Sequence, residues 1–210
     1  MKRRLLVFLP FLLFMAGVFT SCEEVEEEGK YANWQKRNEA FIDSIKVVAG
    51  SRLVSKLEQL EMVQEGEMFY VMNNFISTGK NPEYIYCKKL RKNPSGDRPL
   101  FAGSAYVHYY GTLITGARFD GTFTGYGATD RNIPNPPANE PTVFDSPVLF
   151  NLGSSSLITG WREVLQYMHA GERMIVYIPY NSAYAAAGNG SVPGYSVLTF
   201  DLIMTEVVPL

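Results

Sequence analysis

Strand-like patterns mark three segments after residue 80, and two of them have a period of two residues. In segment 198–204 the even positions are apolar, whereas Thr199 and Asp201 occupy the opposite face. Segment 105–110 repeats this period of two residues, and segment 84–87 is rich in aromatic and β-branched residues. A period of two predicts strands, and the pattern is typical of an antiparallel sheet with one buried face.

Two other stretches show a helical period. Between residues 31 and 64 apolar residues recur in two stripes, and Gly50 and Ser51 are predicted to bend or break the segment between them. Segment 161–168 carries apolar residues at positions i, i+3, i+4 and i+7, starting from Trp161. A helix of about ten residues is marginal alone, so we expect it to pack on the sheet. A curved antiparallel sheet with one short helix predicts an α+β domain.

The change from helical to strand patterning marks the expected domain boundary. Residues 77–82 read as a connection, so residues 31–80 are interpreted as a helical extension and residues 81–210 as the second domain. Segment 68–72 in the extension is a candidate strand. Segment 121–146 is rich in proline and is expected to be a long loop.

Residues 1–21 are interpreted as a targeting segment. Basic residues precede an apolar stretch that is too short and too interrupted to span a membrane comfortably. The small residues before Cys22 resemble the lipobox of bacterial lipoproteins. That resemblance implies cleavage before Cys22 and lipidation of its thiol; an ordinary secretory signal peptide is the alternative.

Residues 22–30 are expected to form an acidic tether after the lipidated cysteine. Their run of glutamates is too polar to fold alone, and it is also interpreted as a sorting address. Lipid anchoring implies a location in the bacterial cell envelope, at the outer membrane, on its periplasmic or its surface face. The whole chain has a net charge of −2 and loses three basic residues with the targeting segment, which argues against nucleic acid as a partner.

Side chains that perform bond chemistry are scarce. His108 and His169 have no cysteine or carboxylate at metal-ligand spacing, so no metal site is predicted. The glycines between residues 111 and 127 do not form a phosphate loop, and no nucleophile elbow is present. No cofactor is therefore expected. Cys87 is interpreted as a lone buried thiol.

Five segments, in this order along the chain, resemble the motifs of the FKBP-type peptidyl-prolyl cis–trans isomerases. They are Val107–Gly111 (VHYYG), Phe119–Asp120 (FD), Leu157–Trp161 (LITGW), Ile178–Tyr184 (IPYNSAY) and Leu198–Met204 (LTFDLIM). The resemblance covers about residues 82–208. Each motif alone is modest, and their order and spacing together identify the family.

The resemblance implies a curved antiparallel sheet wrapped around the short helix, with a proline pocket between them. Trp161 would form the floor of this pocket. The catalytic polar contacts would come from Asp120, from the hydroxyl of Tyr184 and from the backbone N–H of Ile158. Substrate-binding walls would be formed by Tyr109, Phe119, Phe150, Leu157, Val192 and Phe200.

The function implied by the resemblance is isomerisation of X-Pro bonds in exported or envelope polypeptides, through non-covalent stabilisation of a twisted imide. Two alternatives remain open: a module that binds proline-containing peptides without turnover, and an assembly component. The helical extension is expected to support a weak homodimer. Two departures from the family are Val148, where an aromatic residue is usual, and the length of loop 121–146, which is expected near the pocket rim.

Overall fold

The computed structural model describes residues 29–209, so the targeting segment, Cys22 and most of the acidic tether lie outside the described residues. The helices are α1 (Trp34–Ala49), α2 (Leu57–Met62) and α3 (Thr159–Leu165). The strands are β1 (Met68–Met72), β2 (Tyr84–Arg91), β3 (Ser104–Thr112), β4 (Arg118–Gly121), β5 (Val148–Asn151), β6 (Arg173–Ile178) and β7 (Leu198–Val208). A single 3₁₀ turn, Tyr180–Ser182, follows β6. In this part of the chain, no helix is long and apolar enough to cross a membrane.

The strands form one antiparallel sheet in the order β1-β2-β6-β7-β3-β4. Strand β5 also pairs with β3, so β4 and β5 follow one another along the same edge of β3. Together with the short helices, this sheet confirms the predicted α+β class. The candidate strand at residues 68–72 is confirmed as β1.

Helix α3 packs on what we call the inner face of the sheet. Its apolar stripe is buried as the helical period predicts, with Trp161 3 % exposed and Val164 fully buried. The even-numbered residues of β7 from Leu198 to Met204 belong to the same core cluster. Gly160 allows the close approach, because a Cβ atom there would lie 2.5 Å from Cγ2 of Ile178.

The opposite, outer face of the sheet is also buried. Thr199 and Asp201 were placed on the polar face of an amphipathic strand, yet both are fully buried. Asp201 is paired there with Arg173, whose Nη2 lies 2.6 Å from Oδ2 of Asp201. A polar position in an alternating strand can therefore mark a buried ion pair as well as a solvated surface.

Loop 121–146 provides much of this outer cover. The backbone N–H of Tyr126 donates to Asp201 at 2.9 Å, and the guanidinium of Arg173 donates to the carbonyls of Ala138 (2.9 Å) and Asn139 (3.1 Å). The sequence-based expectation places this loop near the pocket rim. The segments around Tyr126 and Ala138 instead cover the outer face. The carbonyls and N–H groups of a long loop need partners, and the buried ion pair supplies them.

The N-terminal segment belongs to the same compact unit as the rest, which clusters as residues 33–210. Strand β1 pairs with β2 across the expected boundary near residue 80. Trp34 Nε1 donates to Ser196 Oγ at 2.9 Å, and Asn38 Oδ1 accepts from the Val197 N–H at 2.7 Å. Strand pairing and buried hydrogen bonds therefore join residues 33–80 to the residues that follow, whereas the sequence pattern predicts an extension and a second domain.

Candidate active site

A pocket opens between α3 and the inner face of the sheet. Its cavity is about 80 Å³, several times the roughly 10–15 Å³ that one water molecule needs, so it has room for a small ring. The structure brings together nine of the ten residues predicted for the site. The lining residues are Tyr109, Phe119, Asp120, Phe150, Ser156, Leu157, Ile158, Trp161, Tyr184 and Phe200.

The floor of the pocket is the indole of Trp161. The rings of Phe150, Phe200 and Tyr109 surround it, with centroids 4.6, 5.0 and 5.2 Å away. Two of these rings stand nearly perpendicular to the indole, an arrangement that the aromatic quadrupole favours. Within the described residues the indole N–H of Trp161 has no acceptor. The indole is therefore held in place by ring packing rather than by a hydrogen bond of its own N–H.

A glycine in the first motif allows the walls to close. Gly111 of β3 pairs with Phe200 of β7, and a Cβ at Gly111 would lie 2.8 Å from the rings of both Phe119 and Phe200. Those two rings pack edge to face at 5.5 Å over the bare backbone. Any larger side chain at position 111 would push the two walls apart.

Asp120 lies at the mouth of the pocket, where its side chain is exposed. Its Oδ1 accepts from the N–H of Gly121 at 2.8 Å, which orients the carboxylate. Burial, followed by the negative charge of Asp120 and a hydrogen bond to it, raises the pKa of Tyr109 to about 12. Tyr109 is therefore a neutral phenol across the physiological pH range, and the carboxylate keeps its access to water.

The remaining polar groups come from the N-terminal end of α3 and from the segment that follows the turn after β6. Ile158 is the residue before α3, and within the described chain no hydrogen bond uses its backbone N–H. The 3₁₀ turn at Tyr180–Ser182 brings the chain back to the pocket, which places Tyr184 on its wall. Ala185, directly after it, has φ 53° and adopts the left-handed region where glycine is less strained.

Two residues differ from the lining of the pocket that the sequence predicts. Val192 lies outside the lining of the pocket and packs elsewhere in the core cluster, with 4 % of its surface exposed. Ser156 lines the pocket although no pattern singled it out, since a lone serine before an apolar run carries no signal of its own. Val148, at the position where an aromatic residue is usual in the family, is 40 % exposed and lies outside the lining of the pocket.

Metal chemistry has no candidate ligands in the described part of the chain, where no group of three or more histidine, cysteine or acidic residues could hold an ion. His108 lies on the outer face, with Nδ1 3.2 Å from Thr122 Oγ1. The site can therefore supply shape, apolar surface and a few hydrogen bonds from the residues described.

Comparison with known proteins agrees with this geometry. The model of the family described as FKBP-type peptidyl-prolyl cis-trans isomerase matches residues 102–204. The chain is 29 % identical over 150 residues to the FKBP-type peptidyl-prolyl cis-trans isomerase FkpA of Aeromonas hydrophila, covering 71 % of this chain and 48 % of that protein. It is 31 % identical over 118 residues to FK506-binding protein 2 of Aspergillus fumigatus, covering 56 % of this chain and 69 % of the relative.

A crystal structure of FkpA from Escherichia coli is also similar, with a TM-score of 0.49, 22 % identity, and coverage of 85 % of this chain and 64 % of that one. The chain spans about half the length of the first curated relatives that it matches. The five motifs lie within the matched residues, and each contributes at least one residue to the lining of one aromatic pocket. The chain belongs to the FKBP-type peptidyl-prolyl cis–trans isomerase family.

Proposed function

We propose that this protein is a peptidyl-prolyl cis–trans isomerase that acts on proline-containing polypeptides of the bacterial cell envelope. The observation that carries the proposal is the aromatic pocket on the Trp161 floor, with Asp120 and Tyr184 among its lining residues. Its cavity is small and lined mostly by aromatic and aliphatic side chains, which suits the apolar ring of a proline, and family membership agrees with that substrate class.

The physics of the reaction suits such a site. Rotation about a peptide bond crosses a barrier of about 18–20 kcal/mol and breaks no covalent bond. At the twisted transition state amide resonance is lost, so the imide carries less charge separation than the planar form. An apolar pocket therefore favours the twisted state over the planar one.

Three groups hold the substrate while it twists. The N–H of Ile158 has no partner within the described chain and donates to a substrate carbonyl. The Tyr184 hydroxyl and the Asp120 carboxylate make the remaining polar contacts at the mouth. The aromatic walls exclude water from the imide, and no proton or leaving group moves.

The location in the cell rests on the sequence before the described residues. Lipidation of Cys22 and an acidic tether to residue 30 would hold the pocket near the outer membrane, where exported chains fold. Mass spectrometry of the mature chain from a bacterial host would detect the acyl groups.

The chain is also proposed to self-associate weakly through α1, whose Val47 (80 % exposed) and Val48 (69 %) are unburied. Sedimentation of the mature chain measures this, and a strict monomer would contradict it.

The first test is catalysis of an X-Pro peptide. We expect the mature chain to accelerate isomerisation of a short X-Pro peptide in a protease-coupled assay. Tyr184→Phe and Asp120→Asn should each lower kcat/KM by about tenfold, because each removes one polar contact to the twisted imide. Tyr180→Phe is the matched control, since Tyr180 packs on Tyr195 outside the pocket lining.

A second candidate function is a binding module that holds proline segments without turnover. The exposed Val148 favours it, because a valine outside the lining adds no contact with the ring at a position where an aromatic residue is usual in the family. A folded chain that binds X-Pro peptides yet leaves their isomerisation rate unchanged would support this candidate and contradict the enzyme.

A further inference from the structure

The most exposed large apolar side chains of the described residues lie in the segment that enters β5. Val143 and Phe144 are each 93 % exposed. They lie in a turn closed at both ends: the N–H of Thr142 donates to Asp145 at 2.7 Å, and the N–H of Asp145 donates to the Thr142 carbonyl at 3.0 Å. The turn thus presents two apolar side chains to solvent.

The same loop is fixed just before this turn. The guanidinium of Arg173 donates to Ala138 and Asn139 and pairs with Glu140 at 3.1 Å. Because Arg173 is itself fully buried, residues 138–140 are tied to the sheet. The exposed pair therefore lies between two anchored segments, the ion pair on one side and β5 on the other.

The exposed pair lies a few residues along the chain from a residue that lines the proline pocket. From Phe144 to Val148 is four residues, which span at most about 14 Å. Val148 and Leu149 are 40 % and 48 % exposed, and the next residue, Phe150, lines the pocket. We call the apolar strip the exposed side chains Val143 and Phe144 of the turn together with Val148 and Leu149, which project from the two faces of β5 beside its free edge.

Strand β5 offers backbone groups along this route. It pairs with β3 only, so within the described chain its other edge has no strand beside it. An exposed edge of this kind binds extended peptides through main-chain hydrogen bonds, while neighbouring side chains select the residues bound. A polypeptide whose proline occupies the pocket can continue along β5 and over the strip.

Charge distinguishes a polypeptide from a membrane as the occupant. Residues 132–151 contain Glu140 and Asp145 and no lysine or arginine. Anionic membrane surfaces attract basic segments and repel acidic ones. An apolar segment of a polypeptide fits the strip better than a lipid surface does.

We propose that the strip of Val143, Phe144, Val148 and Leu149 binds the apolar, extended segment of an unfolded client chain that flanks the proline being isomerised. This inference rests on the proposed isomerase function and adds a class of substrate to it: long, apolar, unfolded chains in preference to short peptides. The strip acts through client affinity and leaves the chemistry at the imide unchanged.

The test compares two substrates and two variants. Val143→Ser/Phe144→Ser removes the exposed apolar pair, and Met62→Ser/Leu100→Ser is the matched control, since both residues are exposed and lie outside α1 and the strip. On a short X-Pro peptide both variants should keep kcat/KM within about twofold of the parent chain. On a protein whose refolding is limited by X-Pro isomerisation, the strip variant alone should lose about tenfold, the effect of removing one well-buried aromatic contact.

Equal losses on both substrates, or an unchanged refolding rate, would overturn the proposal. Absence of peptide turnover in the parent chain would instead refute the isomerase function. In that case the binding of an unfolded protein tests the strip separately. The probe is a reduced and carboxymethylated protein that cannot refold, labelled for fluorescence anisotropy. Its Kd should rise only in the strip variant. Loss of binding to phosphatidylglycerol–phosphatidylethanolamine vesicles in that variant, with unchanged binding of the unfolded protein, would assign the strip to a membrane and contradict the proposal.

Discussion

The two faces of the sheet are buried in different ways, although the same strands build both. Phe200 of β7 points to the inner face and contacts Trp161, whereas its neighbour Asp201 points to the outer face and pairs with Arg173. The inner face leaves a cavity between aromatic rings, and the outer face is filled by the loop and α1. One face therefore offers a binding site, and the other fixes the strands that shape it.

The outer face depends on polar groups that cannot be left unpaired. Burial raises the pKa of the Asp201 carboxyl, and the hydrogen bond and charge of Arg173 oppose that shift. The same guanidinium lies 5.1 Å from the Tyr126 ring and 5.7 Å from the Phe123 ring. One buried ion pair and its hydrogen-bond partners thus fix the strands on the outer face. On the inner face the packing of aromatic rings fixes them.

Removing the cover of the outer face should have the largest effect. A chain that begins at Asn81 lacks α1 and β1, and with them the buried Trp34, Phe69 and Asn38. We expect it to lose the cooperative thermal transition that a chain beginning at Gly29 shows in calorimetry, because the edge of β2 and part of the core become exposed. The sequence-based expectation of a separable extension makes the opposite prediction. A cooperative transition with retained peptide turnover would support that expectation.

Breaking the buried ion pair should have the next largest effect. Arg173→Met leaves Asp201 buried without its partner, which costs about 3–5 kcal/mol in the free energy of unfolding. Urea denaturation measures this loss, and Arg91→Met is the control, since Arg91 pairs with Glu140 at the surface. The double variant Arg173→Met/Asp201→Leu should recover much of the stability. Equal stability of Arg173→Met and Arg91→Met would show that the pair does not hold the outer face.

The sequence predicts the inner face well because its signals are local. The period of α3, the alternation of β7 and the five motifs each lie within a dozen residues, and they place nine site residues around one pocket. Val192 is the exception, since its position after Tyr184 depends on how the intervening turn folds. Its neighbourhood is set by the Asn189–Val192 bridge, which no pattern encodes.

The outer face could not be predicted in the same way. Its cover comes from segments far apart in the chain: α1, the loop around Tyr126, and β6 with Arg173. Asp201 in an alternating strand has the same appearance whether water or a guanidinium faces it. Proline content predicts that 121–146 is irregular, but it carries no information about which face the loop crosses.

The most direct measurement of the difference between the faces uses two adjacent tyrosines of β3. Tyr109 lines the pocket, whereas Tyr110 lies on the other side of the strand beneath Arg118, whose guanidinium is 5.6 Å from its ring. Tyr109→Leu and Tyr110→Leu make the same change on opposite faces, with calorimetry to show that both variants are folded. Isomerisation of an X-Pro peptide, followed by NMR exchange spectroscopy, should slow about tenfold in Tyr109→Leu through loss of one aromatic wall, and should stay within about twofold of the parent in Tyr110→Leu. Equal rates in the two variants, or a larger loss at Tyr110, would contradict the assignment of catalysis to the inner face.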